Sequence, residues 1–155
     1  ERALPFRSAH PGARSAEGSP VTMLRSISPA GAAPAKGPYS PGIRAGNLLF
    51  VSGQIAVAAD GSSLADADLA TQTRQCLANL RAVLEAGGAT LQQVAKVTVY
   101  LADADGWPVF NPIYAEFFGT HKPARAIVPV AAFPGGFKVE VDAIAVVADP
   151  PLIDP

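Results

Sequence analysis

The apolar residues of this chain change rhythm twice, and that change limits the folds open to it. In NLLFVSGQIAV (47–57), Leu48, Phe50 and Ser52 alternate with Leu49, Val51 and Gly53, the two-residue period of a strand. From Asp66 to Ala86 the spacing becomes three and four. Leu69, Thr73, Cys76, Leu77, Leu80, Val83 and Leu84 fall on one helical stripe, with Asp66 or Asp68 placed to cap its start and Gly87-Gly88 to end it. VAKVTVYL (94–101) returns to alternation, with Val97, Val99 and Leu101 opposite Lys96, Thr98 and Tyr100. A second helix is predicted to run to about Phe118 with Asp105 as its cap. Pro108 suits its first turn, whereas Pro112 removes an amide further in and favours a start nearer Asn111.

MLRSIS reads as a short first strand and PAGAAPAKGPYSPG (29–42) as a loop dense in Pro and Gly. Two strands close the chain, 125–130 and 138–148, joined through Pro134-Gly135-Gly136. The predicted order is β-β-α-β-α-β-β with hairpins at both ends, an α+β architecture: a mixed β-sheet with two helices on one face. Residues 1–22 are rich in Ala, Arg, Ser, Gly and Pro, and Pro5, Pro11 and Pro20 break any long helix. They read as a disordered extension, with the folded domain over 23–150 and a tail over 151–155.

At 155 residues the chain suits a single domain with a substantial core. Charged residues make up only 16% of it, which points to apolar surface covered by a partner chain. A net charge of -1 offers no basic surface for nucleic acid, and no apolar run approaches a membrane span. With 1 Cys there is no internal disulfide and no cysteine metal site, so a reducing cytoplasm is the expected home. Cys76 lies on the helical stripe and reads as core. His10 falls in the N-terminal extension, and His121 stands alone in a loop without further ligands at metal spacing.

The chemistry gathers in HKPARAIVPVAAFPGGFKVEVDAIAV (121–146), an apolar stretch holding an arginine and two carboxylates. Arg125 opens a strand between Ala124 and Ala126. It reads either as a solvated guanidinium whose stem covers apolar surface or as a fork that grips a small carboxylate. In the last strand Val139, Val141, Ala143 and Ala145 face one way, and Lys138, Glu140 and Asp142 the other. That second face is a solvent face by alternation alone, or the wall of a cleft where Glu140 orients a water. Tyr39 in its Pro/Gly loop reads as a lid or a packed corner, Ser52 as a strand serine without a nearby histidine, and Gly53 as a place for close backbone approach. Asn111 reads as a helix cap rather than a catalyst.

Taken together, GPYSPG (37–42), LLFVSGQIAV (48–57), TRQCLANLRAVLEAGGATL (73–91), VAKVTVYLAD (94–103), NPIYAEFFGTHKPAR (111–125) and FKVEVDAIAV (137–146) resemble the RidA/YjgF family of reactive-intermediate deaminases, over residues 24–148. The resemblance implies a chorismate-mutase-like fold, a homotrimer with clefts between subunits, and hydrolysis of 2-aminoacrylate-type enamines and imines to 2-keto acids and ammonia. It implies no metal or organic cofactor and a small-molecule carboxylate as the bound partner. By the same resemblance Arg125 binds the substrate carboxylate and Glu140 the attacking water. Tyr39, Ser52 and Asn111 line the cleft, and Gly53 and Ile127 supply backbone at its wall. Family members often carry a cysteine where Ile127 stands and a glutamate where Pro129 stands, so this pocket is expected to be more apolar. A non-catalytic small-molecule-binding trimer and an aminomuconate-type deaminase are the alternatives. An endoribonuclease-like activity ranks below them for want of basic surface.

Overall fold

The computed structural model describes residues 24–148; the expected N-terminal extension and C-terminal tail lie outside the described residues. The strands are β1 (Arg25–Ile27), β2 (Gly42–Ala45), β3 (Leu48–Gln54), β4 (Val94–Leu101), β5 (Ala124–Pro129) and β6 (Val139–Val146). The helices are α1 (Leu69–Ala86) and α2 (Trp107–Phe118). All six strands form one mixed sheet in the order β1-β2-β3-β6-β4-β5.

Alternation places the core. Leu49 and Val51 of β3, Val97 and Val99 of β4, and Val139, Val141, Ala143 and Ala145 of β6 point to one face. There they pack under Cys76, Leu77, Leu80, Val83 and Leu84 of α1 and Phe110, Tyr114 and Phe118 of α2. The Cys76 thiol is buried in this layer and donates to the Val139 carbonyl at 3.5 Å. Among the described residues no helix covers the opposite face. It presents Phe50 and Val146, both exposed, together with Lys96, Thr98, Tyr100, Glu140 and Asp142.

Three local expectations are corrected. The Pro/Gly loop ends sooner than its composition suggests, because Gly42-Ile43-Arg44-Ala45 forms β2 and pairs with both β1 and β3. The closing strands do not form a hairpin. β5 lies parallel to β4 at the sheet edge, reached through the α2 crossover, and β6 inserts antiparallel between β3 and β4. Finally, α2 begins at Trp107, not near Asn111. Asp103, not Asp105, supplies the side chain that turns the chain into it, by accepting from the Asp105 amide at 2.9 Å. Pro112 is inside the helix, where it deletes one intrahelical bond and leaves the rest of the ladder standing. Elsewhere the helical reading holds: Asp68 caps α1 by accepting from Thr71 N at 2.7 Å.

A polar clasp fixes where β6 begins. The buried Gln72 donates to Ala65 O and Ala67 O and accepts from Lys138 N at 2.9 Å, while Lys138 Nζ donates to the same two carbonyls at 3.0 and 2.8 Å. Two residues beyond Lys138 stands Glu140, so this clasp sets its height on the sheet.

Candidate active site

The residues that the sequence singled out collect in two groups. The first surrounds Glu140 on the open face. Between Val51 and Gln54 the β3–β6 pairing shifts register, and at this irregularity Gly53 meets the Glu140 side chain. A β-carbon at Gly53 would collide with the Glu140 carboxylate, whose Cδ lies 2.7 Å from where it would stand. Only glycine leaves room for this acid. Ser52 beside it donates from Oγ to Ser40 O at 2.7 Å and from its amide to Pro41 O at 3.0 Å. Those two bonds moor the Pro/Gly loop to β3 and hold Tyr39, 54% exposed, at the same sheet end.

Across the β4–β6 pairing Glu140 is in register with Tyr100, whose hydroxyl donates to Asp142 Oδ2 at 2.9 Å. Burial pushes the Glu140 carboxyl above the usual glutamate range, and the neighbouring Asp142 charge adds to the effect. Donation to Asp142 likewise raises the Tyr100 phenol. A half-buried carboxylate that holds its proton more tightly than usual is a better base when ionised.

The second group surrounds Arg125. In the parallel pairing Arg125 is in register with Val97 and Ile127 with Val99, so both point toward the helices. The guanidinium carbon lies 4.7 Å from the Trp107 ring centre and 4.4 Å from that of Tyr114. Asn111 stands between these two on the same α2 stripe, as the i+4 member of the i, i+4, i+7 series, and not at a cap as its type suggests. Among the described residues the Arg125 guanidinium makes no ion pair and donates no hydrogen bond, so its fork of N–H donors is unspent. Tyr114 is buried, its phenol pushed up to about 12 by burial against an opposing effect of Arg125, and its hydroxyl has no hydrogen-bond partner among the described residues.

Register separates the charged groups within one chain. Gly53 and Glu140 meet on the open face, with Ser52 mooring the loop beside them. Tyr39 borders a hollow with Gly53 and with Asn79, Ala82 and Val83 of α1. Arg125 and Ile127 instead lie on the helix side of the edge strand, below the α2 stripe that carries Asn111. Alternation already sets Asp142 beside Glu140, whereas Trp107, Tyr114 and Tyr100 are not singled out by the sequence as neighbours of the two charges, although the spacing of 107, 111 and 114 marks one helix face. His121 is structural: its Nε2 lies 2.7 Å from Val94 O. Among the described residues no helix is long and apolar enough to cross a membrane.

The family model described as Endoribonuclease L-PSP matches residues 30–147. A RutC family protein of Pyrococcus horikoshii is 47% identical over 109 residues, which span 70% of this chain and 86% of that protein. The 2-iminobutanoate/2-iminopropanoate deaminase of Escherichia coli K12 is 39% identical over 127 residues, 80% of this chain and 98% of its own. Among solved structures, E. coli TdcF with bound serine matches with a TM-score of 0.75 at 35% identity, covering 80% of this chain and 99% of that one.

Proposed function

This chain belongs to the RidA/YjgF family, matched through its Endoribonuclease L-PSP model, and on that premise we propose that it hydrolyses 2-enamine and 2-imine carboxylates to 2-keto acids and ammonia. The observation that carries the reading is Arg125: a half-buried guanidinium, steadied by two aromatic rings, with its donors free among the described residues. A planar fork of this kind matches the two oxygens of a carboxylate, which lysine does not. The likeness to a chain solved with bound serine, itself a small carboxylate, supports it.

The active unit is a homotrimer whose clefts lie between subunits, Arg125 coming from one chain and Glu140 from the next. Their placement on opposite faces of a single chain runs against a shared site within one chain, so the reading requires clefts between subunits. The uncovered face bearing Phe50 and Val146 is the observation that supports such an assembly.

In the assembled cleft Arg125 orients the substrate by its carboxylate. Glu140, seated against Gly53, takes a proton from the water that adds to the imine carbon, a contribution of about 10²–10⁴-fold. The carbon–oxygen bond forms as the carbon–nitrogen π pair withdraws to nitrogen. The proton held by Glu140 then passes to that nitrogen, and ammonia departs with the electrons of the remaining carbon–nitrogen bond. As it leaves, the hydroxyl oxygen closes the carbonyl and releases its proton, which ends on ammonia. Iminium and water thus become keto acid and ammonium, with no change of oxidation state. An enamine enters this sequence after its β-carbon takes up a proton to give the imine.

Release of keto acid from freshly generated 2-aminoacrylate, compared between wild type and Arg125→Ala, tests the proposal. A large loss in the variant is expected, and equal rates overturn it. The apolar Ile127 favours a second reading, a non-catalytic binding trimer, for which the same carboxylates bind without turnover.

A further inference from the structure

The Arg125 side of the site holds a residue whose use the reaction above does not require. Trp107 opens α2, stays 36% exposed, and lies against the Arg125 guanidinium. An indole that served only to pack the core would be covered like Phe110, its neighbour at 6.5 Å, which is fully buried. Instead its free surface borders the donors that receive the carboxylate. Ile127 continues the apolar wall from β5, since its register partner Val99 puts it on the same face as Arg125.

We infer that Trp107 is a specificity-determining residue: with Ile127 it forms an apolar wall beside the carboxylate fork and favours 2-imino acids with branched or flat apolar side chains over the smallest ones. The inference rests on Arg125 as the carboxylate anchor. Once both carboxylate oxygens are paired in the plane of the guanidinium, the substituent on the adjacent carbon is held within a few bonds of that plane. Around that fork this chain presents the buried Tyr114 ring, the part-exposed Trp107 indole and, on the same strand face, Ile127. Each roughly 40 Å² of apolar surface covered there is worth about fivefold in affinity. A methyl substituent covers little of it, and an isobutyl or benzyl group covers far more. A ring can also stack on the indole.

The experiment uses imines generated in place from alanine and from leucine by an amino-acid oxidase, with keto-acid release followed for wild type, Trp107→Ala and Trp107→Phe. Wild type is expected to show a higher kcat/KM for the leucine-derived imine. Trp107→Ala should lower the leucine-to-alanine ratio about fivefold, mostly through KM, and Trp107→Phe should restore most of it. A wild type without this preference, or a ratio unchanged in Trp107→Ala, overturns the inference. A purely structural role for the indole would depress both substrates alike and leave the ratio where it was.

Because the chain has 1 Trp, binding is also read without turnover. Titrating wild type with pyruvate and with 4-methyl-2-oxopentanoate should shift the indole emission, saturating at about fivefold lower concentration for the branched acid. Arg125→Ala should abolish both shifts. If no imine is hydrolysed yet the branched acid binds tighter, the deaminase reading fails and the wall stands. If imines are hydrolysed and the two acids bind equally, the wall fails and the deaminase stands.

Discussion

The two halves of the candidate site hold their charged groups by opposite means. Arg125 rests on aromatic faces at the edge of the sheet, with its donors free among the described residues. Glu140 is wedged against a backbone that lacks a side chain, next to a second acid, and its proton is held more tightly for it. On the proposed reading one half recognises an anion and the other exchanges a proton. Placing them on opposite faces of one chain keeps the two from forming an ion pair within that chain.

The largest effect tests whether the halves come from different chains. Arg125→Ala and Glu140→Ala should each lower kcat/KM at least about 100-fold. Refolded together in equal amounts, the two inactive chains should regain about a quarter of wild-type activity, since that fraction of shared clefts receives both intact groups. No recovery in assemblies shown to be mixed would break the comparison, because it would put both groups in one chain's site.

Next in size is Gly53→Ala. The added methyl must displace the Glu140 carboxylate, so kcat should fall about 10²-fold with stability lowered by about 1–3 kcal/mol, measured by kinetics and urea melts. Arg125-dependent binding of a keto acid should survive, which would show that the halves fail separately.

A smaller effect appears in pH. Activity should rise with pH as Glu140 ionises, on a limb above the ordinary glutamate range, and Asp142→Asn should move that limb to lower pH by removing one of the two causes of the shift. The stability consequence has the opposite sense. A carboxyl whose folded pKa lies above its unfolded one stabilises fully below the unfolded value and loses that contribution as pH rises through the folded value. Melting temperature should therefore decline over that window, and Glu140→Gln should flatten the decline. A limb that does not respond to Asp142→Asn would remove Asp142 from the account.

These tests also mark what the amino-acid sequence made legible. Spacing alone leaves Arg125 and Glu140 open between a solvated and a functional reading, and only the family resemblance chooses. The first helix and the buried faces of β4 and β6 do follow from spacing, because burial on one side imposes a period that composition cannot hide. The four residues of β2 are too few to show one, and they adjoin a Pro/Gly-dense loop. The partner of β5 was misread because neighbours along the chain usually pair, whereas here a helix intervenes and the strand pairs backward to β4. The separation of Arg125 from Glu140 depends on that pairing, so it was out of reach until the register was known. Trp107 and Tyr114 were hidden for the same reason. Their helix face is readable, but which edge strand it meets is not.

The buried thiol of Cys76 has a practical use. Burial pushes its ionisation far up, and its S–H is engaged with the Val139 carbonyl, so an alkylating reagent meets no thiolate while α1 lies on the sheet. The chain has no other sulfhydryl. Its labelling rate under native conditions thus times how often that helix lifts away, and comparing free and ligand-bound protein would reveal whether occupancy of the cleft stiffens the layer behind Glu140.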